Sequence, residues 1–266
     1  MITVAFITAN YVARQLDYHM TEGWMQGDTA TQDFFRPVGT FPARFDAMLG
    51  EIRTLGFDAV SLWVAHLHPS WATDEHIRAV QVSLKRHRLR LTGLAGGFGA
   101  TPQAFEETCR LASALGVSLL EGNTPLLVSD RRAVVQILQR FNLRLGIENH
   151  PEKTPQEVLA KVGDGGMGHL GATVDTGWFG TQGYHAALAI EELGQHVFSV
   201  HLKDVLAAGS HDTCRFGKGV VPIQECVQVL QRIGYNGVVS IEHEPESYDP
   251  TPDIKASLEM LQGWLS

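Results

Sequence analysis

The sequence predicts an α/β protein folded as a single (β/α)8 TIM barrel over residues 1–266, and three observations predict it. Eight short apolar runs alternate with amphipathic stretches of helical length, which is the pattern of parallel strands joined by crossover helices. Several of the runs are almost continuously apolar, as strands are when both faces of a parallel sheet are buried. The chain has 266 residues, near the usual length of one such barrel.

The strands are expected at 4–8, 59–64, 90–95, 118–121, 144–148, 172–175, 198–203 and 238–242. Helices are expected between and after them, at 42–54, 74–86, 102–115, 130–141, 155–162, 184–192, 222–233 and 252–264. Thr101-Pro102 and Thr154-Pro155 each place a capping hydroxyl before a proline at the first helical position. Gly56, Gly116 and Gly234, each after Leu or Ile, read as helix ends leading into the next strand. No linker or second domain is apparent.

One connection is out of scale. Between the first strand and its helix lie residues 9–41, where two to six residues are usual for a strand-to-helix loop. Trp24, Phe34, Phe35 and Phe41 stud this stretch, and it belongs to the catalytic face of a barrel. It is expected to be a lid or wall of the substrate pocket, or else a contact within a homo-oligomer.

Composition narrows the function. Hydrophobic residues are 44% and charged residues 19% of the chain, as in a soluble globular protein. The formal net charge of −8 argues against nucleic acid as a partner and leaves a small polar substrate as the better fit. No run of 18 apolar residues exists, so no membrane span is expected. The N-terminal residues read as a first strand and lack the basic start of a signal peptide. Cys109, Cys214 and Cys226 are odd in number and have no paired spacing, which suits free thiols in the cytoplasm.

Four predicted strands end on residues that bind divalent cations: Glu148 in LRLGIE, Asp175 in LGATVD, His201 in VFSVHLK and Glu242 in GVVSIEHE. The gaps are 27, 26 and 41 residues, each wide enough for a helix and two loops. At the carboxyl ends of successive barrel strands, three carboxylates and one imidazole converge on one point. That donor set suits one divalent ion such as Mn²⁺, Mg²⁺, Co²⁺ or Zn²⁺. Taken singly, each residue has an ordinary reading. Asp175 fits a turn or helix cap, and a lone strand histidine such as His201 is more often a hydrogen-bonded core residue. In SIEHE, strand alternation points Glu242 and Glu244 inward together and His243 outward; Glu242 lies nearer the strand body and is chosen as the ligand.

The motifs GIENH, VDTG, HLKD with a downstream GKG, and SIEHE, in that order, resemble the xylose isomerase-like superfamily of sugar isomerases, epimerases and inosose-type dehydratases. By that resemblance Glu148, Asp175, His201 and Glu242 match the four metal ligands of the ketose 3-epimerases. Glu148 and Glu242 would also act as the acid/base pair on opposite faces of the substrate. The implied activity is a metal-dependent isomerase or epimerase that abstracts a proton beside a carbonyl, through a metal-stabilised enediolate. Mn²⁺ is the favoured ion and a carbohydrate or polyol-derived ketone the favoured substrate. A leaving group β to the carbanion would instead make the enzyme a lyase or dehydratase of a keto-sugar, keto-inositol or keto-glycoside.

The chain departs from the epimerase pattern at Trp178, where many relatives carry histidine. An aromatic platform thus replaces a polar substrate contact. His150 shares the strand parity of Glu148 and resembles the proton acceptor of the eliminating relatives; its other reading is a hydrogen bond to a ligand carboxylate. Lys203, His66 and Arg215 are expected to touch substrate, against the alternative of solvated or packed side chains. Lys218 competes with Arg215, and Glu121 at the end of strand four is a weaker candidate for the pocket. A three-zinc DNA-repair endonuclease on the same barrel would need a basic surface and more strand-end histidines. A barrel without catalysis would not need the four-ligand set. No glycine-rich phosphate motif is present, which favours an unphosphorylated substrate.

Overall fold

The computed structural model describes residues 1–266. Eight parallel strands close the barrel: β1 (Thr3–Ile7), β2 (Ala59–Trp63), β3 (Arg90–Gly97), β4 (Leu119–Asn123), β5 (Arg144–Glu148), β6 (Leu170–Asp175), β7 (Val197–Leu202) and, after a small hairpin, β10 (Val238–Ile241). The hairpin is antiparallel, pairing β8 (Asp204–Val205) with β9 (Thr213–Cys214). β1 pairs with both β2 and β10, so the ring has no open edge.

The main outer helices are α2 (Phe41–Thr54), α3 (Asp74–His87), α4 (Pro102–Leu115), α6 (Arg131–Phe141), α7 (Pro155–Val162), α9 (Ala186–Leu193), α10 (Ile223–Arg232) and α11 (Thr251–Leu265). Shorter helices α5 (Leu126–Ser129) and α8 (Thr176–Thr181) follow β4 and β6 directly. The capping signals operate as read. Thr101 Oγ1 accepts from Ala104 N at 3.2 Å, and Gly116 closes α4 at φ +76°.

The stretch 9–41 is not an extended loop. It contains 3₁₀ turns at Thr8–Tyr11 and Arg14–Leu16, then a three-turn helix, α1 (Trp24–Phe35). Gly27, Thr31 and Phe35 form its buried face, spaced four apart. Gly27 is required there: a Cβ would lie 2.4 Å from the carbonyl oxygen of Val12. The helix was hidden in the sequence because glycine and threonine, not large apolar residues, mark its inner stripe.

Inside the barrel the layer below the mouth is polar. Ser61, Glu121, Thr173, Ser199 and Ser240 are all buried, and Thr173 Oγ1 lies 2.7 Å from Ser199 Oγ. Gly93 leaves the space Glu121 fills, since a Cβ at Gly93 would come within 2.9 Å of its carboxylate. No helix is long and apolar enough to cross a membrane.

Candidate functional site

The strand ends of β5, β6, β7 and β10 meet at the mouth. Glu148 and Asp175 are the last residues of their strands, His201 is the penultimate residue of β7, and Glu242 directly follows β10. All four are buried. His201 Nδ1 lies 2.7 Å from Glu148 Oε1 and 3.5 Å from Glu242 Oε2, so both glutamates flank one ring nitrogen. Donor atoms of Glu148, His201 and Glu242 lie within 4.8 Å of one another, as do those of Glu148, His150 and Asp175.

Asp175 does two jobs with its two oxygens. Oδ1 caps α8, accepting from Gly177 N at 2.8 Å and Trp178 N at 3.1 Å. Oδ2 faces the site, 3.0 Å from Lys203 Nζ and 3.4 Å from His150 Nε2. One oxygen of Asp175 thus caps α8 and the other faces the site. Asn149 fixes the relative height of β5 and β6. Its amide donates to Asp175 O at 2.9 Å and its carbonyl accepts from Asp175 N at 2.7 Å. It sits between two chemically louder residues and was passed over in the sequence.

Lys203 is buried in the same cluster. Its ammonium lies 3.0 Å from Asp175 Oδ2, 3.2 Å from Glu242 Oε2 and 3.0 Å from Glu244 Oε2. Burial works against its charge, but the carboxylates around it, Asp175 first, push its pKa well above the ordinary value. Burial would lift Asp175; Lys203 and then His150 override it and hold the carboxyl far below the usual range. At Glu242 burial prevails, aided by Glu244, and the pKa is pushed up to about 8 despite Lys203 and His201. For Glu148 burial is outweighed by His150 and His201, which hold it low. Burial disfavours the His201 cation, yet Glu242 and Glu148 raise its pKa well above the usual value.

The remaining predicted residues divide. His150, Trp178 and Lys203 line a cavity of about 450 Å³, together with Glu148, His201 and Glu242. Trp178 stacks between His150, at 4.5 Å between centroids, and His211, at 4.7 Å. His66 does not reach the cavity. β2 ends at Trp63, a 3₁₀ turn follows, and His66 packs behind it against Phe35 and Trp63, with Nδ1 3.3 Å from Thr8 Oγ1. Burial pushes its pKa down to about 3. Arg215 is likewise off the lining, because the loop holding it is tied down by Asp204, whose carboxylate accepts from Gly217, Gly219 and Val221 N at 3.0, 3.1 and 3.0 Å. Lys218 lies in the same anchored turn and does not line the cavity.

Glu121 sits beneath the site, fully buried, bonded by Ser61 and 3.9 Å from His201 Nε2. His243 turns away from the cavity, toward Thr213, Tyr248 and Asp253, as strand alternation requires. Glu244, Glu246 and Trp24 also line the cavity. Glu244 was legible as the parity partner of Glu242, and Trp24 belongs to the stretch 9–41 expected either to wall the pocket or to make an oligomer contact.

Three carboxylates and an imidazole make a hard-to-borderline donor set that suits a divalent cation. One atom supports that fit: Glu242 Oε2 is buried and, apart from the Lys203 ammonium at 3.2 Å, has no hydrogen-bond partner. A proton on Nε2 would leave Nδ1, which points into the cluster, free to donate its lone pair.

Comparison with known proteins agrees with the fold. A 31% identical stretch of 120 residues, 42% of this chain, is shared with an uncharacterized protein of Methanocaldococcus jannaschii, and it spans only 40% of that protein. Among solved structures, the IOLI protein with a bound zinc atom superposes at a TM-score of 0.73, with 16% identity, over 100% of this chain and 98% of that one. The probable 3-DHS dehydratase AsbF of Bacillus anthracis gives 0.68 at 14% identity, covering 98% and 99%. A D-tagatose 3-epimerase-like protein gives 0.65 at 20% identity, covering 80% and 90%. At such identities the likeness is one of fold. The model of the xylose isomerase-like TIM barrel matches residues 49–264, a span that runs from inside α2 to the end of α11 and takes in all four strand-end residues. This chain belongs to the xylose isomerase-like TIM barrel family.

Proposed function

We propose that the protein is a divalent-metal-dependent isomerase or epimerase of an unphosphorylated keto-sugar or polyol-derived ketone. Glu148, Asp175, His201 and Glu242 would hold the ion, with Mn²⁺ the favoured occupant. The observation that carries the reading is the placement of Glu148 and Glu242 on either side of His201 Nδ1, at 2.7 and 3.5 Å. A bound divalent ion would polarise the substrate carbonyl and acidify the neighbouring C–H. Glu148, held ionised by His150 and His201, is suited to take that proton. Glu242, on the other side of His201 Nδ1, is placed to return one. Trp178 offers a flat surface for a sugar ring, and Lys203 a charge toward substrate oxygen. The zinc-containing and epimerase-like neighbours are consistent with this assignment.

The test is incubation of Mn²⁺-loaded protein with keto-sugars and keto-inositols in D₂O. Deuterium beside the carbonyl, with the molecular formula otherwise unchanged, is the expected result. Loss of water or of a substituent would move the enzyme to the lyases.

That second reading has its own observation. His150 lines the cavity at the edge of the acidic cluster, 3.8 Å from Glu148 and 3.4 Å from Asp175, where a substrate in the cavity would reach it. His150→Ala separates the two. If glutamates alone move the proton, kcat falls by less than about tenfold; if His150 is the base, the loss is on the order of 10²–10⁴-fold.

Metal binding has a predicted pH dependence. The ion requires Glu242 ionised and His201 neutral, while the metal-free site holds both protonated near neutrality, because both pKa values are raised. Affinity therefore rises with pH up to at least about 8, where Glu242 has lost its proton. Each released proton contributes roughly tenfold per pH unit, so up to about a hundredfold per unit while both are released. Calorimetric Mn²⁺ titrations between pH 6 and 8.5 would show this, and a slope of one proton or fewer would remove Glu242 or His201 from the ligand set.

A further inference from the structure

Glu242 stands one residue beyond β10, where the sheet around it is coming apart. On the β7 side its N–H still donates to Leu202 O at 3.0 Å. On the β1 side the last paired residues are Phe6 and Ile241, and the chain then leaves the barrel wall in the 3₁₀ turn Thr8–Tyr11. Asn10, in that turn, supplies what β1 no longer does. Its Nδ2 donates to Ile241 O at 3.0 Å, and its Oδ1 accepts from His243 N at 2.7 Å. In a parallel ladder a residue bonds the carbonyl before and the N–H after the one it faces. The Asn10 amide makes that same pair of bonds around Glu242, as an artificial last rung.

Asparagine is suited to this place. Its planar amide carries one donor and one acceptor face, as a peptide does. One bond would satisfy one buried backbone group; two from a rigid plane fix both the height and the tilt of the chain at Glu242. Asn10 is 1% exposed and is not on the cavity lining, so it reaches the site through Glu242 alone.

The other three strand-end residues are tied in a related way. Asn123, the last residue of β4, donates from Nδ2 to Glu148 O at 3.0 Å. Asn149, directly after β5, bonds the N–H and carbonyl of Asp175 at 2.7 and 2.9 Å. Thr176, directly after β6, donates from Oγ1 toward His201 O at 3.3 Å and accepts from Lys203 N at 2.8 Å. Each of the four thus has its main chain held by a side chain from the end of an adjacent strand. Asn10 is the one tie that precedes residues 49–264, the span matched by the family model.

We infer that Asn10 is a positioning residue for Glu242, holding the main chain on either side of it so that the carboxylate meets the ion and the substrate at one height. This rests on the reading of Glu242 as a metal ligand and proton carrier. A shift of about 1 Å at a reacting group can cost on the order of 10²-fold in rate.

The experiment compares Asn10→Ala and Tyr235→Phe with wild type. Tyr235 is the control, because its hydroxyl bonds Phe198 O and Val238 O at 3.1 and 2.8 Å, at the opposite ends of β7 and β10. Each protein is melted, titrated calorimetrically with Mn²⁺, and assayed in D₂O with the keto-sugar or keto-inositol that wild type exchanges fastest. Both variants are expected to melt below wild type. Asn10→Ala alone is expected to lose Mn²⁺ affinity, by at least about tenfold, the scale for a group that orients a metal ligand. At saturating Mn²⁺ its kcat falls about tenfold or more while KM stays within about threefold. Asn10→Ser, which keeps one hydrogen-bonding group, should fall between, and it carries the comparison if alanine does not fold. Wild-type affinity and kcat in the Asn10 variants, or equal losses in Tyr235→Phe, would overturn the inference. Wild-type protein that binds Mn²⁺ without exchanging deuterium would remove proton transfer from the proposed function, and the affinity comparison would still decide on Asn10. Wild-type protein that binds no Mn²⁺ would remove the metal reading and this inference with it.

Discussion

Glu242→Gln is expected to lower kcat/KM by about 10³-fold, within the 10²–10⁴-fold range attributed to a positioned acid or base. Glutamine keeps the length and planarity of the side chain but cannot carry the transferred proton. Its effect on metal binding compounds the loss, because an amide oxygen is a weaker donor than a carboxylate. The local geometry adds a further cost. Glu242 Oε2 lies 3.2 Å from the Lys203 ammonium, so an amide NH₂ placed there would set donor against donor. Flipping the amide relieves that clash and turns the NH₂ to the other Glu242 oxygen position, so a folded variant is expected. The discriminating measurement is steady-state kinetics at saturating Mn²⁺, with metal content determined on the same sample. A variant that retains metal and keeps kcat/KM within about threefold of wild type would remove Glu242 from proton transfer. Loss of activity with full metal occupancy would assign it to that step.

The legible part of this protein was set by short-range rules. Strand parity placed Glu148, His150, Glu242 and Glu244 on one side and His243 on the other, and the side chains follow it. Lys203 shares parity with His201 and enters the same cavity. Parity stops being a guide once the strand stops. His66, just past β2, is expected to face the mouth, but the chain turns at Val64, and His66 ends under the aromatic wall. Arg215 is expected to touch substrate from the family resemblance of its loop after β7, but the Asp204 anchor tucks that loop away from the mouth. α1 escaped because its buried stripe is Gly27, Thr31 and Phe35, two of which carry little apolar weight. Glu121 shows a subtler limit. It ends near the mouth in sequence, yet Gly93 on the neighbouring strand makes room for it to fold inward under His201. Glycine at a neighbouring strand position is visible in sequence only after the register is known.

Lys203→Met is expected to destabilise the metal-free protein strongly and the metal-loaded protein much less. The ammonium lies within 3.2 Å of three carboxylate groups, Asp175, Glu242 and Glu244, and is itself buried. Methionine approximates the stem but supplies no charge, leaving acidic groups packed together out of water. Removing one partner of a buried ion pair typically costs about 3–5 kcal/mol. In a chain of this size that corresponds to a fall in melting temperature of roughly 6–10 °C. The sign of the pH dependence follows from Glu242, whose pKa in the folded protein is raised to about 8. Lys203 lowers that pKa, so without it Glu242 holds a proton more firmly still. At pH 6 it is protonated and part of the repulsion is relieved, while at pH 9 more of its charge is expressed. The deficit should therefore be larger at pH 9 than at pH 6. A divalent ion binding the same carboxylates replaces the missing positive charge, so saturating Mn²⁺ should raise the melting temperature of Lys203→Met by more than it raises that of wild type. Thermal melts with EDTA and with Mn²⁺ at both pH values give all four comparisons. Identical metal-free melting of variant and wild type at pH 9 would mean that the lysine is not what balances these carboxylates. A deficit that Mn²⁺ leaves untouched would place the ion's charge elsewhere, and with it the assignment of Asp175 and Glu242 as ligands would fall.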